Sequence, residues 1–178
     1  ISNNQARYGG GLYSHYAAPV LKNVIFRNNY AARSGGGAGF KTSTPTINNV
    51  VVYDNTADNY GGGFFIFDTS EVVINGATFY GNDGGPGGGA VVSSNRNNVS
   101  LVKSICWGNT PNQIKSCVYT GGGYDYGPGY IGIANSDIQG GESLLDLDPG
   151  ELTFYQTNLS LDPLFEDPTQ GNFSLTET

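Results

Sequence analysis

Apolar residues along this chain fall in bursts of two to four, each broken by turn-forming residues. Leu12 and Ser14, Ala38 and Phe40, Phe64 and Ile66, and Ala90 and Val92 form one recurring pair, two positions apart, just after a glycine triplet. Side chains two apart share one face of a strand, so each pair predicts a short, half-buried β-strand. A second set, Ile25-Phe26, Val51-Val52, Thr78-Phe79 and Ile105-Cys106, lies three to four residues before an asparagine and predicts another strand. Stretches such as Val20-Leu21 and Val72-Val73-Ile74 follow turn-formers, among them Pro19, Pro45 and residues 95–98. Each period therefore holds about three strands.

The period is explicit. Glycine triplets begin at Gly9, Gly35, Gly61 and Gly87, at an interval of 26 residues, and an asparagine stands five or six residues before each, at Asn3, Asn29, Asn55 and Asn82, with Asn109 continuing the series. Strands this short cannot bury an apolar side alone, so units with such a period must stack. Stacked coils lie about 4.8 Å apart, and equivalent residues become ladders along the axis. The predicted fold is all-β, a right-handed single-stranded parallel β-helix of about six coils with a repeat of roughly 26 residues. Residues 1–139 are assigned to the coils, and 140–178 to the last coil and a closing segment of the same domain. The chain begins inside a repeat and reads as part of a longer one. The asparagine column suits a corner, because Asn tolerates left-handed backbone and its amide can bond to the coil above. The glycines suit a second corner, where φ is positive or backbones approach closely. A phosphate-cradling loop would need a following helix and a lysine that this pattern lacks. Phe26, Phe79 and Ile66 are the expected inward residues.

Composition narrows the partners. Twenty-eight glycines without a three-residue period exclude collagen, and 12% aromatic against 13% charged residues suits turn-rich β-structure. The net charge of −7 comes with no basic cluster, which argues against nucleic acid, and no apolar stretch approaches the ~20 residues of a membrane-spanning helix. Membrane insertion is not expected. Cys106 and Cys117 could pair in an oxidising compartment, but nothing local requires it.

The F-x-x-N pattern, Phe26 to Asn29 and Phe79 to Asn82, followed by Gly-Gly-Gly resembles the short repeats of chlamydial polymorphic membrane proteins and of bacterial right-handed β-helix surface proteins. Residues 104–114 (SICWGNTPNQI) and 135–141 (NSDIQGG) are similar to segments of secreted β-helix repeat proteins. The run from Asp162 to Pro168, with Gly171 to Leu175 after it, resembles an element that closes such a helix. The stretch from Leu144 to Glu151 departs from the pattern and reads as an insertion. The resemblance implies a secreted or cell-surface setting. Fold relatives include pectate lyases, glycosidases and adhesins, and fold alone does not choose among them.

Candidate chemistry is sparse. Asp54, Asp58 and Asp83 fall near one corner with Arg33 one coil back, and they read more simply as turn-formers standing in for asparagine. Asp146, Asp148 and Glu151 have the close carboxylate spacing of a calcium loop without its full ligand series. No cofactor is expected, and calcium at these carboxylates is the one exception the spacing allows. His15 has no nucleophile partner and reads as a solvated strand residue. If Phe64 and Ile66 point inward, Phe65 and Phe67 point outward, with Tyr13 and His15 in the equivalent columns two coils earlier. Exposed aromatics of this kind mark a contact surface, so Phe65, Phe67 and Tyr13 are expected binding residues. Tyr124 and Tyr126, in a tyrosine-glycine segment that breaks the period, are a second set. The expected function is a non-catalytic extracellular module, a stalk, adhesin or assembly component, whose partners are other subunits or other parts of a longer chain. The alternative is a polysaccharide-binding or polysaccharide-degrading module acting on extracellular glycan.

Overall fold

The computed structural model describes residues 1–118, 127–148 and 150–176. It is the expected right-handed parallel β-helix of about six coils. Three walls of parallel strands run its length. The first stacks Leu12–His15, Ala38–Lys41, Phe64–Phe67, Val91–Ser94, Ile114–Cys117 and Leu145–Asp146. The second stacks Val20–Lys22, Thr46–Asn48, Glu71–Asn75, Asn98–Val102, Tyr130–Ala134 and Leu152–Gln156. The third stacks Ile25–Arg27, Val51–Tyr53, Thr78–Tyr80, Ile105–Trp107 and Asp137–Ile138. A short fourth sheet, Gln5–Tyr8, Tyr30–Ser34 and Thr56–Ala57, links the third wall to the first.

A buried ladder holds the corner after the third wall. The Asn29 Nδ2 donates to Asn55 Oδ1 at 2.9 Å, Asn55 to Asn82 at 3.0 Å, and Asn82 to Asn109 at 2.8 Å. Each acceptor oxygen also takes the backbone N–H of the asparagine before it in the ladder. The ladder starts at Asn4, which donates to Asn29 at 3.0 Å, and not at Asn3 as the sequence pattern suggests. Asn3 instead occupies the left-handed position just before the ladder, with Asn28, Asp54, Gly81 and Gly108 below it. The two demands assigned to one asparagine thus fall on neighbours: one residue takes the strained backbone, and the next, buried, makes the bonds. Smaller ladders hold the other corners, from Ser43 through Ser70 to Asn97 and from Ser104 through Ser136 to Asn158.

The glycine corner works by two means. Gly9, Gly35 and Gly61 have positive φ, while a Cβ on Gly36 would lie 2.4 Å from the Gly62 carbonyl oxygen of the next coil. In the fourth coil the left-handed position passes to Gly88, 27 residues after Gly61, because the third coil takes up one extra residue at the corner between Phe67 and Ser70, where Asp68 and Thr69 both have positive φ. Phe64 therefore pairs with Val91 and Ile66 with Ser93, one residue later than Ala90 and Val92, and Val92 points outward. The stretch from Leu144 to Glu151, expected to be an insertion, contains the sixth strand of the first wall, with Leu145 on Ile114 and Asp146 on Lys115.

Inside the coils, Phe64 is the hub of the core. Its ring meets those of Phe26, Phe40 and Phe79 edge-on at centroid distances of 5.7, 5.5 and 5.1 Å, and all four are fully buried. After the last coil the chain folds back. An antiparallel hairpin, Phe165–Asp167 and Asn172–Leu175, lies on the outside of the third wall, where Phe173 packs on Tyr53 at 5.2 Å and Tyr80 at 5.4 Å, and Phe165 on Tyr80 at 5.8 Å. The expected closing element is thus a strap along the side of the second and third coils.

Phe79→Ala should lower stability by about 3–5 kcal/mol, the cost of an unfilled aromatic site. Asn55→Ala should cost about 2–4 kcal/mol, because it strands partners above and below in a buried ladder. Both are read from thermal unfolding followed by circular dichroism. Phe173→Ala should leave that unfolding nearly unchanged but make the hairpin a site of rapid limited proteolysis, since a two-stranded hairpin is marginal without its support.

Candidate functional site

The outward positions of the first wall form two columns. One runs Tyr13, Gly39, Phe65, Val92, Lys115 and Asp146, and the other His15, Lys41, Phe67, Ser94 and Cys117. Phe65 and Phe67 point out of the coil as expected, yet they are not exposed: Phe65 is fully buried and Phe67 is 5% exposed. Phe65 stacks on Phe67 at 4.8 Å and on Tyr60 at 6.0 Å, with Val92 and Cys117 completing a small second core. Tyr8 and Tyr13 flank Phe67 at 6.4 Å each, and the Lys41 ammonium lies 5.6 Å from its centroid. Outward apolar rings on a flat wall lower their free energy by covering one another, so parity alone does not predict exposure. Of this set, Tyr13 is the residue that reaches solvent, 43% exposed, and its ring lies over Gly39, where a Cβ would stand 3.2 Å away. Burial on its inner side raises the Tyr13 hydroxyl pKa. Tyr124 and Tyr126 lie outside the described residues.

Where the first wall ends, the backbone turns through left-handed positions at Tyr16, Thr42, Asp68, Thr69 and Asn95. These residues and Lys41 line a cleft of about 340 Å³. Lys41 Nζ stands 3.4 Å from Asp68 Oδ2, and Asn95 Nδ2 donates to Asp68 Oδ1 at 2.8 Å. Tyr16 is 77% exposed and stacks on His15 at 4.2 Å with the planes 28° apart. His15 is the exposed strand residue expected, and it is also the base of a ring stack. Neither Tyr16, Asp68 nor Asn95 stands out in the sequence, because each is brought to the cleft by a different coil. Extending the repeat alignment into the turn would have placed Tyr16 above Thr42.

The acidic candidates are engaged in the fold. Asp58 accepts the Tyr30 hydroxyl at 2.7 Å, and Asp83 accepts the Gly85 N–H at 3.0 Å while its backbone bridges Thr56 and Thr110. Asp54 takes a left-handed corner, and partial burial raises its carboxyl pKa. Asp146 pairs with Lys115, whereas buried Glu151 accepts the Asp148 N–H at 2.7 Å. Among the described residues, no three His, Cys, Asp or Glu side chains gather closely enough to hold a metal ion. The two thiols are unbonded and sit on opposite sides of the coil wall: Cys106 inside beneath Phe79, and Cys117 outside against the Phe65 cluster.

A scan against protein families matches residues 1–141 to the family described as the right handed beta helix region. The chain belongs to that family, which is defined by fold and not by one activity. No curated protein and no solved structure matches the chain. Among the described residues no helix is long and apolar enough to cross a membrane.

Burial pushes the Cys117 thiol up to about 11, partly offset by Lys115, and pushes Cys106 higher still. A thiol held above its unfolded value of about 8.5 adds stability that is complete below that pH and is lost as pH rises through the folded value. The melting temperature should therefore fall between about pH 9 and 11, and Cys117→Ser should flatten that fall. Below that range, native Cys117 should react with a disulfide reagent about tenfold faster per pH unit.

Proposed function

We propose that this chain is a non-catalytic β-helix module of an extracellular surface, acting as a rigid scaffold that presents its first wall and adjoining corner to a partner, as a stalk, adhesin or assembly component does. The observation that carries this reading is the gathering of Tyr13, His15, Tyr16, Lys41, Asp68 and Asn95 on one outer edge, drawn from four successive coils. Strand spacing of about 4.8 Å sets the pitch of such a surface, and side chains held by a stacked backbone lose little further freedom on binding. The module acts by display.

A polysaccharide-cleaving module would need two carboxylates flanking the scissile bond, or an acidic cluster with a base beside it. Asp58 and Asp83 accept hydrogen bonds that shape their own corner, and Asp146 is paired with Lys115. Those engagements favour scaffold over catalyst.

The test is incubation with acidic and neutral polysaccharides, with and without calcium, following retention on the polymer and the appearance of new chain ends. No new ends should form under either condition. Chain shortening would overturn the reading and direct mutagenesis to Asp54, Asp58 and Asp83.

A further inference from the structure

Resting on the display reading, we propose that the corner cleft beside the first wall is a subsite for one uncharged sugar ring of a glycan chain. The lining residues Tyr16, Lys41, Thr42, Asp68, Thr69 and Asn95 offer an open aromatic face together with hydroxyl, carboxylate, amide and ammonium groups. That combination suits a pyranose, which has an apolar C–H face for stacking and a rim of hydroxyls that both donate and accept. His15 covers one face of Tyr16 and leaves the ring 77% exposed. The cleft volume of about 340 Å³ is at the small end of ligand sites, enough for one ring and not for a peptide segment.

The residue choice at the corner points the same way. Tyr16 has φ +52° and Thr42 φ +46°, backbone that costs a bulky or β-branched residue of order 1–3 kcal/mol. The corner after the second wall has the same left-handed requirement and meets it mostly with Asn or Gly, at Asn23, Asn49, Gly76 and Asn135, alongside Lys103 and Thr157, and no aromatic residue stands there. A tyrosine kept in such a position, with its ring in solvent, works against folding. Contact with a ligand offsets that.

The polar groups decide the ligand's charge. Lys41 and Asp68 neutralise each other across 3.4 Å, and Asn95 holds the second Asp68 oxygen. Each carboxylate oxygen keeps a further lone pair and the ammonium further donors, so adjacent sugar hydroxyls can donate to Asp68 and accept from Lys41 while the pair stays intact. The chain as a whole carries −7, which repels polyanions such as uronate chains. An uncharged sugar meets no such penalty.

The experiment is calorimetric titration with neutral oligosaccharides of several linkages, and with oligogalacturonate as the acidic comparator, at up to about 10 mM. At least one neutral series should bind the parent chain. Tyr16→Asn should weaken that binding about threefold to tenfold while leaving the melting temperature equal or higher, since it removes the stack and relieves the corner. Asp68→Ala should weaken it about tenfold or more. Tyr130→Ala, at an exposed ring on the second wall, should leave it unchanged. The subsite is overturned if no neutral oligosaccharide binds, if only the acidic one does, or if Tyr16→Asn and Asp68→Ala bind like the parent. Release of shorter chains in the same samples would instead overturn the display reading, so the two failures are distinguishable.

Discussion

Everything in this molecule depends on successive coils turning the same corner at the same height. The ladder from Asn4 to Asn109 enforces this, because each side-chain oxygen accepts both the amide and the backbone N–H of the asparagine one coil earlier. A coil that slipped by one residue would break two buried bonds here and turn its strand side chains to the wrong face. Backbone pairing along the walls is indifferent to side chains. The ladder is what makes the register specific, and the phenylalanines around Phe64 then fill a core whose positions are already set.

A register set this firmly also accommodates irregularity. The third coil absorbs an extra residue at the corner between Phe67 and Ser70, and from there successive coils pair 27 residues apart, with Phe64 on Val91. Later offsets vary more, with 32 residues separating Ser104 from Ser136 and 22 separating Ser136 from Asn158, yet both steps keep a ladder bond at the corner. Loops can lengthen at the corners because the polar contacts there, and not the intervening chain length, hold one coil to the next.

The outer surface follows from the same geometry. Aromatic residues on the first wall face outward in columns, and neighbours within reach cover each other, which buries Phe65 and Phe67 and leaves Tyr13 and Tyr16 at the edge. On the third wall the strap does comparable work: Phe165 and Phe173 cover Tyr53 and Tyr80, while hydrogen bonds such as Leu164 N–H to Asp162, Asn172 to Glu166 and Thr176 to the Leu164 carbonyl join residues 162–176 to one another. Ring packing thus attaches the strap to a wall whose own backbone bonds are already made. The proposed surface function lies on the first wall, away from this cover.

By itself the sequence determined the fold class, the approximate period and the inward phase of the first strands, because stacking turns a local pattern into columns and columns are visible as repetition. Phe64 and Ile66 facing in and Phe65 and Phe67 facing out were legible for that reason. The division of labour between Asn28 and Asn29 was not, since the dihedral need and the hydrogen-bond need fall one residue apart and both are asparagine. Nor was the shift to Gly88, because the five glycines within residues 84–89, interrupted by Pro86, give no side-chain signal of register. Only tertiary structure decided which outward aromatics were buried, that the last segment folds back on Tyr53 and Tyr80, and that Tyr16, Lys41, Asp68 and Asn95 share a cleft. These are contacts between residues of different coils at a corner, where solvent exposure depends on what lies above and below and not on the neighbouring sequence.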